Sequence, residues 1–155
     1  MGDFRKSARV ACVQYGQSAL ESYGAFEDKV ARFVAIAASY GTHFVVFPEM
    51  FTLQLLTIAH RDVPMPQAVA ALDTYTARVK ATFADLAKRH RLHLVGGSHF
   101  LRDAAGVARN VCFTAMPDGT LHAQAKIHAT PSERDAWGIV GGDAAAAFET
   151  EFGPV

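Results

Sequence analysis

The sequence predicts an α/β protein, built as a mixed β-sheet with helices on one face. Up to Gly96, short apolar runs alternate with two segments of helical periodicity, an order typical of parallel strands joined by helices. The pattern then changes to two β-rich runs joined by Pro117-Asp118-Gly119, which predicts an antiparallel hairpin. Half of the 155 residues are hydrophobic, so the chain can bury a core as a single domain.

The chain opens with a predicted strand, helix and strand. Ala8–Tyr15 is β-rich with few charges and predicts the first strand. The helix is predicted at Ala25–Tyr40, and Gly41 suits its C-terminal cap because glycine adopts the left-handed conformation at little cost. One apolar stripe of this helix comprises Phe26, Val30, Phe33, Val34 and Ala37. His43–Phe47 is an uninterrupted apolar run, which is typical of a strand covered on both faces.

A long helix and a third strand follow. We predict the helix at Pro66–His90, because Pro66 suits a first-turn position and the apolar residues keep the helical period. Those apolar residues are Leu72, Tyr75, Val79, Phe83 and Leu86. The third strand is predicted at Leu92–Gly96.

The C-terminal half predicts antiparallel pairing. Val107–Met116 and Thr120–Ile127 are the strands on either side of the turn, and a loop containing Pro131 follows. Ala145–Phe152 is a candidate for one more strand. The chain ends just after Gly153-Pro154, a turn signal beyond which another strand is expected, so the domain is predicted to be truncated.

Charge and composition narrow the partners and the location. Lys plus Arg and Asp plus Glu are 15 each, so nothing predicts a nucleic acid or an anionic membrane as partner. No apolar run approaches the roughly 20 residues that span a bilayer, and residues 1–6 are polar, unlike a signal peptide. Two cysteines give no disulfide framework, so we expect a reduced, cytoplasmic protein.

Glu49 is the first candidate for chemistry. It follows an apolar strand in Phe47-Pro48-Glu49, and catalytic groups of open α/β sheets gather at the carboxyl ends of strands. Apolar neighbours are expected to remove water from its carboxylate and favour the protonated form, which suits a general base. The alternative is a solvated glutamate that only ends a strand.

Lys126 is the second candidate. Polar side chains alternate along its strand, so Lys126 shares one face with His122, Gln124 and His128. If that face lines a polar site, the ammonium can stabilise a developing oxyanion. If the face meets water, Lys126 is a surface lysine, as most lysines are.

Glu133 is the third candidate, because a carboxylate a few residues past Lys126 could hold its ammonium in place. Pairing with Arg134 or capping of a helix explains Glu133 equally well. The seven histidines prompt a search for a metal site, but no spacing matches a zinc motif, and we predict no bound metal.

Neither cysteine is an attractive nucleophile. Cys12 and Cys112 each lie in the middle of a predicted apolar strand, where burial disfavours the reactive thiolate. Both are interpreted as structural residues of the core.

Four segments, taken in order, resemble the nitrilase superfamily of carbon–nitrogen hydrolases. Residues 9–15 (RVACVQY) are similar to that family's opening strand, and residues 44–49 (FVVFPE) to its apolar strand ending in Pro-Glu. Residues 110–119 resemble its strand and turn, with an asparagine at the start and Pro-Asp-Gly at the end. Residues 126–133 (KIHATPSE) resemble its lysine motif, Lys-x-His followed by Thr-Pro. The four segments span nearly the whole chain.

The resemblance implies a fold, an activity and a set of roles. The fold is an α-β-β-α sandwich, of which this chain would form part, with protomers paired through a helical face. The activity is hydrolysis of non-peptide C–N bonds in a small amide, nitrile or ureido substrate, by glutamate, lysine and cysteine and without a cofactor. Carried over, Glu49 would be the general base, Lys126 the oxyanion stabiliser and Glu133 the supporting glutamate.

The nucleophile is where the chain departs from the family. The family's cysteine lies on a strand after the segment that residues 152–155 (FGPV) resemble, and Cys12 and Cys112 lie in the wrong segments. We therefore expect the chain alone to be inactive. Its uncovered apolar faces predict that it oligomerises, is prone to aggregation, or is the ordered part of a longer protein. The alternative function is that of a non-catalytic, truncated relative that acts as a binding or assembly module. An unrelated small-molecule binder would place Glu49 and Lys126 far apart.

Overall fold

The computed structural model describes residues 7–155; the polar start at 1–6, on which part of the location prediction rests, lies outside them. The helices are α1 (Tyr23–Ser39), α2 (Leu56–Ala59, preceded by a 3-10 helix at Phe51–Leu55), α3 (Met65–Asp73), α4 (Thr76–His90) and α5 (Pro131–Trp137). The strands are β1 (Val10–Cys12), β2 (Phe44–Val46), β3 (His93–Val95), β4 (His99–Arg102), β5 (Ala108–Ala115), β6 (Leu121–Ala125), β7 (Glu149–Thr150) and β8 (Gly153–Pro154).

The main sheet is mixed, as predicted. Strand β2 lies between β1 and β3 and is parallel to both. Strand β5 is antiparallel to its neighbours, with β3 and β4 along one edge and β6 along the other. Strands β7 and β8 form a small separate hairpin.

The two faces of the main sheet are covered differently. Val45, Leu94 and Ala115 point to one face and are fully buried in the core that α1 and α4 complete. The hairpin segment lies against the other face, where Phe152 packs against the rings of Phe44 and His93. The predicted α/β class with a mixed sheet is therefore confirmed, with α1 and α4 on one face, whereas α5 contacts Asn110 and Phe100 on the other. None of the helices within residues 7–155 is long and apolar enough to cross a bilayer.

The predicted helix at Pro66–His90 is two helices. Helix α3 ends at Asp73 and α4 begins at Thr76. At the break, the Thr74 hydroxyl donates to the Ala71 carbonyl at 2.7 Å and the Thr76 hydroxyl donates to the Asp73 carboxylate at 2.9 Å. Hydroxyl groups that bind nearby acceptors in this way compete with the helical hydrogen-bond pattern, and the continuous apolar period concealed that competition.

Three further segments differ from the prediction. The loop expected around Pro131 is helix α5, whose first turn is closed by reciprocal hydrogen bonds between Thr130 and Glu133. Strand β4 was not predicted. The chain leaves the sheet after β3 at residues 96–98 and then pairs with β5 again as β4. The strand expected at Ala145–Phe152 is limited to the two residues of β7.

Candidate active site

Two regions that are distant in the chain, around Glu49 and around residues 126–133, meet at the carboxyl end of β2. Glu49 follows β2, Lys126 follows β6, and Glu133 lies in the first turn of α5. Lys126 Nζ donates to Glu49 Oε1 at 2.8 Å and to Glu133 Oε2 at 2.8 Å. The three residues singled out in the sequence are thus in direct contact, and the alternative that required Glu49 and Lys126 to lie far apart is wrong.

Lys126 is held by its backbone as well as by its side chain. Its N–H donates to the Asn110 carbonyl, and its own carbonyl accepts from Gly142 N, each at 2.8 Å. Burial alone would lower the pKa of the ammonium, but the hydrogen bonds to Glu133 and Glu49 outweigh burial and raise that pKa. Lys126 is therefore a fixed cation at neutral pH, and its side chain is only 27% exposed, unlike that of a surface lysine.

Glu133 is the buried carboxylate of the site, with a side chain that is 1% exposed. Its Oε1 accepts from Asn110 Nδ2 at 2.7 Å, and its Oε2 accepts from Lys126 Nζ and from Thr130 N, both at 2.8 Å. Burial alone would raise the pKa of Glu133, but these hydrogen bonds outweigh it and lower that pKa to about 2. The pairing with Arg134 is wrong, because that guanidinium donates to the Ala129 carbonyl, whereas helix capping and the contact with Lys126 both occur.

Glu49 is the exposed carboxylate. Its side chain is 53% exposed, so the predicted removal of water from this carboxylate is wrong. The neighbouring rings of Phe47 and Phe51 point into the core and do not surround it. Glu49 Oε1 accepts from Lys126 Nζ and, at 3.1 Å, from Asn110 Nδ2. Within residues 7–155, Glu49 Oε2 has no hydrogen-bond partner.

The turn that carries Glu49 rests on the segment after β3. Met50 adopts a left-handed conformation with φ of 59°, and its N–H donates to Ser98 Oγ at 2.9 Å. Gly97 has φ of +58°, and a Cβ on it would collide with the carbonyl oxygen of Pro48. Only glycine permits this approach. Gly97 and Ser98 were missed as site residues, although they too follow a parallel strand at its carboxyl end.

A buried histidine supports the same turn from behind. His99 Nδ1 lies 3.1 Å from Thr52 Oγ1, and its Nε2 lies 3.0 Å from Thr76 Oγ1. Thr52 in turn donates to the Ser98 carbonyl at 3.1 Å. Burial lowers the pKa of His99 to about 4, although the Asp73 carboxylate opposes that shift. His99 is therefore neutral at pH 7 and links the start of α4 to the Glu49 turn.

A cavity of about 390 Å³ opens beside Glu49 and Lys126. Its other walls are Phe47, Val95, Gly97, Ser98, Asn110, Cys112 and Gln124. Cys112 is half-buried, and burial raises the pKa of its thiol as predicted. The core position predicted for Cys12 is wrong, because its side chain is exposed on the edge strand β1. Residues 7–155 contain no group of three or more His, Cys, Asp or Glu side chains that could hold a metal ion.

The sequence comparisons identify a family. Residues 9–155 match the carbon–nitrogen hydrolase family. A probable hydrolase of Bacillus subtilis (strain 168), YhcX, is 35% identical over 147 residues, which are 95% of this chain and 28% of that protein. The bifunctional nitrilase/nitrile hydratase NIT4A of Lupinus angustifolius is 30% identical over 140 residues, 83% of this chain and 40% of that protein. The chain therefore belongs to the carbon–nitrogen hydrolase family.

Solved structures show the same fold. Nit3 of Saccharomyces cerevisiae, a nitrilase-superfamily member, superposes with a TM-score of 0.72 at 20% identity, over 94% of this chain and 52% of that one. An amidase of Nesterenkonia sp. AN1 in complex with butyramide superposes with a TM-score of 0.71 at 16% identity, over 95% and 53%. Another structure of that amidase shows the acetamide moiety of fluoroacetamide covalently added at its active site cysteine. The chain spans 28% and 40% of the curated relatives and about half of these structures.

Proposed function

We propose that this chain supplies the general base, the oxyanion stabiliser and the lysine anchor of an active site that hydrolyses non-peptide C–N bonds. The observation that carries the proposal is one ammonium held between two carboxylates of opposite exposure, beside a small cavity. Glu49 is the base, Lys126 the oxyanion stabiliser and Glu133 the anchor.

The proposed chemistry follows from these environments. A cysteine thiol with an ordinary pKa of about 8.5 is mostly protonated at neutral pH. Glu49 Oε2 accepts its proton as the sulfur attacks an amide or nitrile carbon, and Lys126 compensates the negative charge that develops there. With an amide, the C–N bond breaks, Glu49 returns the proton to the departing nitrogen, and a thioester remains. Glu49 then takes a proton from water as the water oxygen attacks the thioester. The carbon–sulfur bond breaks, Glu49 returns that proton to the departing sulfur, and the acid and the thiol are released.

The proposed nucleophile comes from outside residues 1–155. Cys12 does not line the cavity. Cys112 lines it, but burial raises the pKa of its thiol, which disfavours the thiolate. The covalent adduct at the active site cysteine of the Nesterenkonia amidase supports a cysteine in this role. We propose that the 155-residue chain is inactive alone, that it pairs with a second copy, and that it acts in the cytoplasm.

The proposed substrate is a small amide or nitrile. A cavity of about 390 Å³ with Val95 and Cys112 in its walls suits a short, largely apolar molecule. Lys126 is the one cation among the residues that line it, and both of its carboxylate partners are close, so no further cation is available there for an acidic substrate.

The test is ammonia release from short aliphatic amides and nitriles, measured for the 155-residue chain and for the product of the whole coding sequence. We expect release at the buffer rate from the chain and a clear excess from the whole product, which Glu49→Gln abolishes. Release by the chain alone would refute the placement of the nucleophile. Release by neither would favour the non-catalytic binding or assembly module.

A further inference from the structure

Asn110 touches all three residues of the proposed site. Its Nδ2 donates to Glu49 Oε1 at 3.1 Å and to Glu133 Oε1 at 2.7 Å, and its carbonyl accepts from Lys126 N at 2.8 Å. Each of the two Nδ2 hydrogens thus serves a different carboxylate. Since the amide oxygen in that position would face two carboxylate oxygens, the orientation of the amide group is fixed.

The other end of the Asn110 amide has no partner. Its Oδ1 is buried and has no hydrogen bond to any group within residues 7–155. A buried acceptor without a partner destabilises the folded state, and such groups concentrate at functional sites. The Asn110 side chain therefore donates to both carboxylates while its own amide oxygen remains without a hydrogen bond.

We propose that Asn110 is a positioning residue that fixes the Glu49 carboxylate so that Oε2, not Oε1, accepts the proton. Glu49 Oε1 receives two donors, Lys126 Nζ and Asn110 Nδ2, whereas Oε2 receives none within residues 7–155. The terminal torsion of a glutamate is broad and roughly two-fold. With Lys126 as its one partner, a half-exposed Glu49 could present either oxygen; the second donor removes that freedom. That Glu49 accepts a proton rests on the proposed function. The position of the Glu49 carboxylate relative to Asn110 can be tested without that function.

The chain contains a single asparagine, which makes a direct test possible. Asparagine labelled with ¹⁵N in the full 155-residue chain gives one side-chain NH₂ group in an NMR spectrum. We expect two separate proton signals that exchange with water on the order of tenfold more slowly than those of an exposed amide. Glu49→Gln, a neutral change at a half-exposed position that leaves the fold intact, shifts one of the two signals and leaves the other in place.

The controls separate positioning from a merely structural role. Glu21→Gln, at an exposed carboxylate, shifts neither signal. On acidification of the wild-type chain, the signal that does not respond to Glu49→Gln holds until the pH approaches the pKa of Glu133, about 2.

Equal responses of both signals to Glu49→Gln, or no response, would overturn the proposal, as would exchange as fast as in an exposed amide. Its failure is distinct from failure of the proposed function. Two protected, separately responding signals without ammonia release from the whole product would leave the positioning role and remove the hydrolase.

Discussion

The two segments that carry the carboxylates of the site are held in opposite ways. Glu133 begins a helix, is 1% exposed, and receives hydrogen bonds on both oxygens. Glu49 lies on a turn after a strand, is 53% exposed, and is bonded through one oxygen. The two glutamates share Lys126 and Asn110, so neither partner by itself explains the difference. What differs is the local backbone: the Thr130 N–H at the start of α5 donates to Glu133, whereas Glu49 precedes the left-handed Met50 and receives no backbone N–H within residues 7–155.

This contrast teaches how one fold gives two identical side chains different properties. Hydrogen bonds to both oxygens lower the pKa of Glu133 and make it an anion at neutral pH. The unfilled oxygen of Glu49 is the one that we propose accepts a proton. The following experiments test that division of roles, from the largest expected effect to the smallest.

Removal of the buried charge is expected to have the largest effect. Glu133→Gln keeps the size of the side chain but removes the anion that faces Lys126, and breaking a largely buried pair costs about 4 kcal/mol. Urea denaturation at pH 7 measures the loss in free energy of unfolding. A loss below about 1 kcal/mol, the value for exposed ion pairs, would mean that Glu133 is held no more firmly than Glu49.

The contact beneath the Glu49 turn is next. Gly97→Ala adds a Cβ that collides with the Pro48 carbonyl at a residue with φ of +58°, and we expect a loss of about 3 kcal/mol. Gly106→Ala is the matched control, because its φ is +79° but nothing lies within 4 Å of the added Cβ. It should lose only the backbone cost, about 1 kcal/mol. Equal losses in thermal or urea unfolding would show that the turn has room to move.

As the pH falls, the protein should lose the stability contributed by His99, beneath the Glu49 turn, before it loses the stability contributed by Glu133. The pKa of His99 falls from 6.5 to about 4 on folding, so the unfolded chain binds its proton first as the pH drops. This contribution is present above pH 6.5 and is lost as the pH falls toward 4, and it amounts to about 2 kcal/mol between pH 7 and pH 5. The pKa of Glu133 is lowered from 4.5 to about 2. The contribution of Glu133 to the free energy of unfolding is therefore present above pH 4.5 and is lost as the pH falls from 4.5 toward 2.

The variant His99→Gln isolates the histidine's share. Urea denaturation of both proteins at pH 7 and pH 5 gives the difference, and the variant should lose about 2 kcal/mol less between those two pH values. The same pH dependence in both proteins would show that His99 titrates normally in the folded state.

The smallest effect on stability belongs to Glu49 itself. Glu49→Gln removes a half-exposed ion pair and should lower the free energy of unfolding by less than about 1 kcal/mol. The same substitution is the one expected to abolish ammonia release, so a large effect on activity beside a small effect on stability sharpens the contrast. A loss of several kcal/mol in urea would instead make Glu49 a structural residue like Glu133.

The sequence predicted the elements that have strong local signals. The apolar run before Pro48, the helical period of α1 and the turn at 117–119 each depend on neighbouring residues, and the structure has all three. The break between α3 and α4 was missed because Thr76 and Asp73 make it with their side chains, within an unbroken apolar period. Helix α5 was missed although Thr130-Pro131-Ser132-Glu133 carries a capping pattern.

In the site, too, features with a local sequence signal were predicted and those that depend on distant contacts were not. Glu49, Lys126 and Glu133 were found through motifs that resemble those of a family, whereas their exposures were not predictable. Asn110 lies near the start of β5, and its carboxylate partners are 61 and 23 residues away. The asparagine at the start of residues 110–119 was part of the resemblance, but nothing in that motif indicated its contacts with the carboxylates. The role of Asn110 depends on tertiary contacts alone.

The contact between Lys126 and Glu49 joins residues 77 positions apart in the chain. The β5–β6 hairpin next to it needs only a short turn, so its loop-closure entropy is small and it can nucleate early. Closing the longer loop requires the parallel strands to be aligned first, and contacts of such separation slow folding. We therefore expect Lys126 to join its hairpin before it meets Glu49. The contact between Lys126 and Glu49 is then expected to form late, and partly folded chains are expected to lack it.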